Sequence, residues 1–256
     1  MKRREFLGTA AAAGALTAVG MSALTRSAEA AGGDSKSPVR VLVWSELTEP
    51  KSVYPNGLHA AIADYLNKQK GITARIATLT DPDQGVAESV LAETDVLIWY
   101  GHQRHGDVKN ENVQRIVRRV RDNGLGFFAL HSSHFSKALR ALTGTECSWG
   151  AYVDDGKPVK VKVMMPEHPI AKGVKDFTVP KDEFYAEPFA IPKPDAVVLA
   201  SLNEDDSEIV RDGICFTIGA GRVFYLRIGH EGYPIYFMPP VQKVIGNACR
   251  WLAKRA

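Results

Sequence analysis

Seven histidines occur in the chain, and four of them follow short apolar runs that read as strands. Tyr100-Gly101-His102 closes one such run, Leu130-His131-Ser132-Ser133-His134 a second, and Ile228-Gly229-His230-Glu231 a third. Imidazole titrates near neutrality, so a cluster of this kind can act as acid and base. Combined with a carboxylate, it can instead hold a divalent metal that polarises a carbonyl or activates water. Spacing does not choose between these chemistries. No His-Glu-x-x-His run is present, so metal ligands would have to come from separate loops. Candidate catalytic residues are His131, His230, Glu231 and His134. Candidate ligands for a zinc, manganese or iron ion are His102, His131, His230 and Glu187. Glu46, His59, Ser132, Ser133, Arg227 and Tyr233 are candidates for binding substrate.

Other mechanisms lack their residues. Gly124-Leu125-Gly126 precedes a strand, and Gly219-Ala220-Gly221 reads as a hairpin turn, so neither is a dinucleotide fingerprint. No Walker A run exists, and no nucleotide cofactor is expected. The turn after the fourth strand, where a nucleophile elbow places Ser or Cys between glycines, reads His-Ser-Ser-His. Ser132 or Ser133 beside His134 is a possible nucleophile, but substrate hydrogen bonding or helix capping is the preferred reading.

The elements that must position these groups alternate. Strands are expected over Val39–Trp44, Ile72–Leu79, Asp95–Tyr100 and Gly126–Leu130. Between them fall a helix capped by Asn56, a short helix over Gln84–Ala92, and a helix capped by Asp107 and ended by Gly124. Its Arg115, Arg118, Arg119 and Arg121 are read as a solvated face. A helix from about Phe135 to Leu142 follows. The second half predicts strands at Val159–Met165 and Val197–Leu202, a hairpin of Ile209–Ile218 with Arg222–Ile228, and a closing helix from Pro240 to Leu252. The expected fold is three-layer α/β, a mostly parallel central sheet with helices on both faces. In such a sheet ligands bind outside the carboxyl ends of the strands, where the histidine runs end.

The 256 residues are 45% hydrophobic and 24% charged, enough to bury a core without disulfides or metal. Of the net charge of +3, two units come from the first thirty residues, and the remainder carries +1. Nothing there drives binding to nucleic acid or to an anionic membrane. The start, Lys2-Arg3-Arg4-Glu5-Phe6-Leu7, an Ala- and Gly-rich run, then Arg26 and Ala28-Glu29-Ala30, resembles a twin-arginine export signal. Residues 1–30 are therefore expected to be a signal, 31–38 a linker and 39–256 one α/β domain. The mature protein would be periplasmic or extracellular, with no stable membrane anchor. Cys147, Cys215 and Cys249 are expected to be free and structural.

The runs Val41–Glu46, Tyr54–His59, Trp99–His102, Leu130–Phe135, His168–Ile170 and Gly229–Glu231 together resemble the trehalose-utilisation, ThuA-like, family across about Val39 to Leu252. The resemblance implies a class I glutamine amidotransferase-like fold. In that fold the nucleophile elbow matches His131-Ser132 and the late His/Glu pair matches His230-Glu231. With no Cys at the elbow, glutamine hydrolysis is not expected. The resemblance also implies carbohydrate metabolism, of 3-keto sugars or 3-keto glycosides, alongside a separate oxidoreductase. Asp182–Phe189 is family-like too, and its Glu183 and Glu187 carboxylates are within reach of a site role. A non-catalytic carbohydrate-binding module on the same scaffold remains the alternative.

Overall fold

A computed structural model describes residues 37–256. The export-signal reading over residues 1–30 lies outside the described residues. None of the described helices is long and apolar enough to cross a membrane.

The nine-stranded sheet is built from β1 (Val39–Ser45), β2 (Ile72–Thr78), β3 (Val96–Tyr100), β4 (Gly126–Leu130), β6 (Val159–Val163), β7 (Phe177–Val179), β9 (Ala196–Leu202), β10 (Ile209–Ile218) and β11 (Gly221–Leu226). Its order is β2-β1-β3-β4-β11-β10-β9-β6-β7. The strands from β2 to β11 are mutually parallel, and the rest extend this core by antiparallel pairing. A separate ribbon pairs β5 (Ala151–Val153) with β8 (Phe184–Ala186).

β3 and β4 read Val-Leu-Ile-Trp-Tyr and Gly-Phe-Phe-Ala-Leu, and every residue in both is buried. That is the composition of strands covered on both sides. Trp44 and Trp99 are register partners on β1 and β3, and their indoles stack with centroids 3.6 Å apart. Truncating either buried indole would cost about 3–5 kcal/mol. The cover comes from α1 (Leu58–Asn67) with α5 (Pro239–Leu252), and from α2 (Glu88–Ala92), α3 (Asn110–Asn123) and α4 (Lys137–Thr143). All three cysteines are buried and free.

Several local expectations are corrected. Asn56 does not cap α1. Gly57 holds that position at φ 87°, and Glu49, from the loop after β1, accepts the Leu58 amide at 2.8 Å. A Cβ on Gly57 would meet the His59 ring at 2.3 Å. Asp107 caps nothing, because it pairs with Arg104 at 2.8 Å, and the Lys109 amide is taken by Gln84 at 2.9 Å. The expected Gln84–Ala92 helix splits into a 3-10 turn, Pro82–Gly85, and α2. His131–Phe135 is also a 3-10 turn, so α4 starts later, with Ser136 Oγ accepting the Leu139 amide. The arginines of α3 are not simply solvated. Arg115 donates to the Val86 carbonyl, just before α2, and Arg119 to that of Leu91 within it, so both tie α3 to the α2 segment.

Candidate active site

The chain runs from β1 outward to β2, then crosses β1 to reach β3 on the other side. The crevice at the carboxyl ends of β1 and β3 is therefore a switch point, the usual ligand site of an open α/β sheet. Glu46 follows β1, His102 follows β3, His131 follows β4 and His230 lies beyond β11.

His131 occupies the sharp turn between β4 and the following 3-10 turn, at φ 46°. Left-handed backbone at a non-glycine residue costs about 1–3 kcal/mol and has to be held by its surroundings. The holders are visible. Ser133 Oγ donates to the Trp99 carbonyl at 2.9 Å and accepts the Gly101 amide at 2.8 Å, while Ser132 Oγ donates to the Gly101 carbonyl at 3.0 Å. Both hydroxyls thus tie the elbow to the end of β3. His131 Nδ1 lies 2.6 Å from the Arg227 carbonyl, which can only accept, so the proton of a neutral ring sits on Nδ1. Nε2 then faces Glu183 Oε2 at 3.1 Å and the Tyr185 hydroxyl at 2.9 Å. One neighbour receives a proton and the other supplies one. This setting accommodates Nε2 both protonated and bare.

Burial is the largest single influence on Glu183 and works against its charge, but the hydrogen bonds from His131 and Tyr185 and the nearby imidazoles together outweigh it and hold the carboxyl below its ordinary range. The Tyr185 phenol is pushed well above its usual value by burial and by Glu183, so it stays protonated.

A second pair lies alongside. His102 Nδ1 and the Tyr100 hydroxyl both bond the Glu231 carboxylate. Burial opposes that charge most strongly here too, yet these two bonds and the neighbouring imidazoles together bring Glu231 down to about 2. The same bond raises His102 above the ordinary histidine value. His230 lies between the pairs, its ring edge-on to His131 at 5.5 Å and to His102 at 5.7 Å between centroids. Its backbone, with that of Gly229, is held by buried Asp182 at 3.0 and 3.1 Å. The Gly232 amide donates to His230 Nδ1 at 3.0 Å, which leaves the proton of the neutral ring on Nε2.

The remaining candidates are placed differently. His134 turns away from the cluster, donating Nδ1–H to the Cys147 carbonyl at 2.6 Å among the rings of Phe135, Tyr152, Tyr185 and Phe189. Burial pushes it down to about 3, so it remains neutral. Glu46 is buried beneath the His102 loop, where it accepts the amides of His102, Gln103 and Arg104. His59 is buried on α1, with Nδ1 3.7 Å from Glu49. Arg227 is fully buried, its Nη1 bonding the Glu183 carbonyl at 3.0 Å and its Nη2 lying 3.5 Å from Asp212. It supports His131 and Glu183 from behind and lines no open surface. Tyr233 is partly exposed, with its ring 5.6 Å from that of His230.

Glu187 does not join the cluster. Arg211 Nε and Nη2 take its two oxygens at 2.8 Å each, and Glu183 stands in the place expected for it. Among the described residues, two sets of possible ligand atoms each fall within 4.8 Å, His102/His230/Glu231 and His131/Glu183/His230. Two imidazoles and a carboxylate suit zinc, manganese or iron. The His131 Nδ1–H bond to a carbonyl is also the orientation that metal-binding imidazoles adopt. The Gly232 bond counts the other way, since Nε2 of His230 could bind a metal only by moving its proton to Nδ1. Tyr185, Tyr100 and Asp182 were not singled out from the sequence. Glu183 and Tyr185 share one face by strand alternation, which was a readable signal.

A family model described as ThuA, trehalose utilisation, matches residues 40–252. The chain belongs to the ThuA family. No curated protein matches it. Crystal structures of ThuA-like proteins from Bacteroides uniformis ATCC 8492 and Parabacteroides merdae ATCC 43184 are similar to this ThuA-family chain. The first has TM-score 0.60 and 19% identity, covering 85% of this chain and 92% of that one. The second has TM-score 0.62 and 15% identity, covering 84% and 90%. A Thermoplasma acidophilum protein described as a GMP synthase component matches with TM-score 0.52 and 11% identity over 85% and 95%. The fold is accordingly glutamine amidotransferase-like. Family membership links this ThuA-family chain to carbohydrate utilisation.

Proposed function

We propose that the protein is an exported enzyme that moves a proton on an oxidised sugar, a 3-keto sugar or 3-keto glycoside, with His131 as the acid/base. The observation that carries this reading is the setting of His131, with Nδ1 pinned by a carbonyl and Nε2 shared between Glu183 and Tyr185. A ketone acidifies the neighbouring C–H enough for an imidazole to remove it, whereas an unoxidised sugar offers no such proton. Neutral His230, with its proton on Nε2, is suited to donate a hydrogen bond to the ketone oxygen as negative charge grows there. Glu231 holds His102 as a second acid/base pair. A separate sugar oxidoreductase would supply the ketone. Export rests on the paired arginines and apolar run of residues 1–30.

The test is to incubate the mature protein with a 3-keto methyl glucoside in D2O and follow the C–H signals next to the ketone by NMR. Exchange or product formation is expected, and His131→Asn, which tolerates left-handed backbone, should slow it by about 10²–10⁴. Equal rates in the variant refute the assignment. Resonance shifts without exchange would select a carbohydrate-binding module instead. The two ligand groups sharing His230 support a second reading, in which zinc, manganese or iron polarises the ketone. Elemental analysis of protein purified without a metal-binding tag separates the two. One tightly held ion per chain selects the metal-assisted route.

A further inference from the structure

Among the described residues the exposed large aromatic side chains are Phe135, Tyr152 and Phe237, and the first two lie side by side near the site. Phe135, 36% exposed, ends the His131 turn, and Tyr152, 42% exposed, is the middle residue of β5. Their ring centroids are 5.9 Å apart and their planes differ by 33°. Neither is a loose side chain. Tyr152 pairs across the ribbon with Tyr185, its ring meets that ring edge-on at 5.0 Å, and its hydroxyl accepts the Trp149 amide at 3.1 Å. Phe135 packs against His134 at 4.0 Å.

The rings continue inward without a break. Tyr185, beneath Tyr152, stacks on His131 at 4.7 Å. The exposed pair is thus two ring spacings from the candidate acid/base. Successive rings of an oligosaccharide repeat at a similar spacing. His131 and Tyr185 are buried, and Glu183 is the partly exposed member of their group, so a sugar would approach along Glu183, with a linked second ring reaching toward Phe135 and Tyr152.

We propose that Phe135 and Tyr152 form a stacking subsite for the second ring of a disaccharide, so that the preferred substrate is a glycoside larger than one sugar. The inference rests on the carbohydrate reading above. The C–H bonds of a pyranose project from its flat faces and carry slight positive charge, so they lie favourably against the negative face of an aromatic ring. Ring faces also remove apolar C–H surface from water while the hydroxyls at the edge stay solvated. Because both rings are already anchored, little side-chain freedom is lost when a sugar lands on them.

The experiment compares one-ring and two-ring ligands, 3-keto methyl glucoside and a 3-keto disaccharide, against wild type, Tyr152→Leu, Phe135→Leu and Tyr152→Phe. For the disaccharide, KM should rise about tenfold in either leucine variant, which is about 1.4 kcal/mol, with kcat nearly unchanged. For the one-ring substrate both constants should stay within twofold, and Tyr152→Phe, which keeps the ring, should behave as wild type. Unchanged KM for the disaccharide, or equal loss for both substrates, overturns the subsite. A second arm is independent of turnover. Titration with unoxidised trehalose should shift the ring resonances of Phe135 and Tyr152, with weaker binding in the leucine variants at an unchanged melting temperature. If those rings do not respond, the subsite is wrong even where exchange at the ketone occurs. If they respond while no ketone is processed, the subsite stands and the proton-transfer reading falls.

Discussion

His134 gives the most quantitative test of how the cluster divides into working and supporting histidines. Its ring is buried, bonded to the Cys147 carbonyl, and pushed from the ordinary 6.5 down to about 3 by burial. The folded protein therefore keeps His134 neutral, whereas the unfolded chain binds a proton once pH falls below 6.5. Between those values the unfolded state holds more protons, so stability rises with pH through this window and is lost as pH falls from 6.5 toward 3. At pH 5 the offset is about 1.5 units, or about 2 kcal/mol, and at pH 7.5 it is close to zero. Replacing His134 with Gln removes the titration and leaves a side chain that can still donate to the carbonyl. Urea unfolding of wild type and His134→Gln at pH 7.5 and 5.0 measures the difference. The variant should be less stable at pH 7.5, but its loss on going to pH 5.0 should be about 2 kcal/mol smaller. His102 is shifted upward by Glu231 and contributes with the opposite sign, but it is common to both proteins and cancels in the comparison. Equal pH losses in the two proteins would refute the reasoning and return His134 to the set of titrating site residues.

Two further outcomes separate residues that sequence reasoning grouped together. Glu46→Gln places an amide against the His102, Gln103 and Arg104 amides that the carboxylate now accepts. It should cost about 3 kcal/mol and raise hydrogen exchange at those three positions, and unchanged protection there would show that Glu46 does not hold the loop. Glu183→Gln should slow proton exchange on the 3-keto glucoside at least tenfold. Glu187→Gln should leave the rate within twofold and lower stability by about 1 kcal/mol through its half-buried Arg211 pair, and the reverse pattern would move the site to Glu187.

The parallel core was legible because β1, β3 and β4 are apolar on both faces, and the rule that ligands gather at strand carboxyl ends then located the histidines. What escaped was set by contacts between distant segments. The acceptor at the start of α1 comes from Glu49, nine residues earlier, and a local search for Asn, Ser or Asp could only find Asn56. Glu183 and Glu187 are four residues apart, so strand alternation puts both on one face and offers no means of choosing. Arg211, 24 residues beyond Glu187, makes the choice by taking that carboxylate. In the same way the arginines of α3 look solvated by helical period alone, because the carbonyls they reach belong to other segments, Val86 just before α2, Leu91 within it, and Ala141 and Leu142 in α4.

On the proposed reading, the turn at His131 keeps the position that the resemblance assigns to a nucleophile and gives it different chemistry. The strain at His131 is held by bonds that mostly do not involve its side chain: both serine hydroxyls reach the end of β3. A nucleophile or an imidazole fits that backbone equally well. What an imidazole needs, and a nucleophile does not, is a fixed tautomer and a proton partner on the opposite nitrogen. Those come from outside the β4 turn: the Arg227 carbonyl, just past β11, fixes the tautomer, while Glu183 and Tyr185, at the start of the β8 ribbon, face Nε2. On the proposed reading, the parallel sheet fixes where the reacting group sits. The antiparallel ribbon beside it decides that the group moves protons instead of forming a covalent bond.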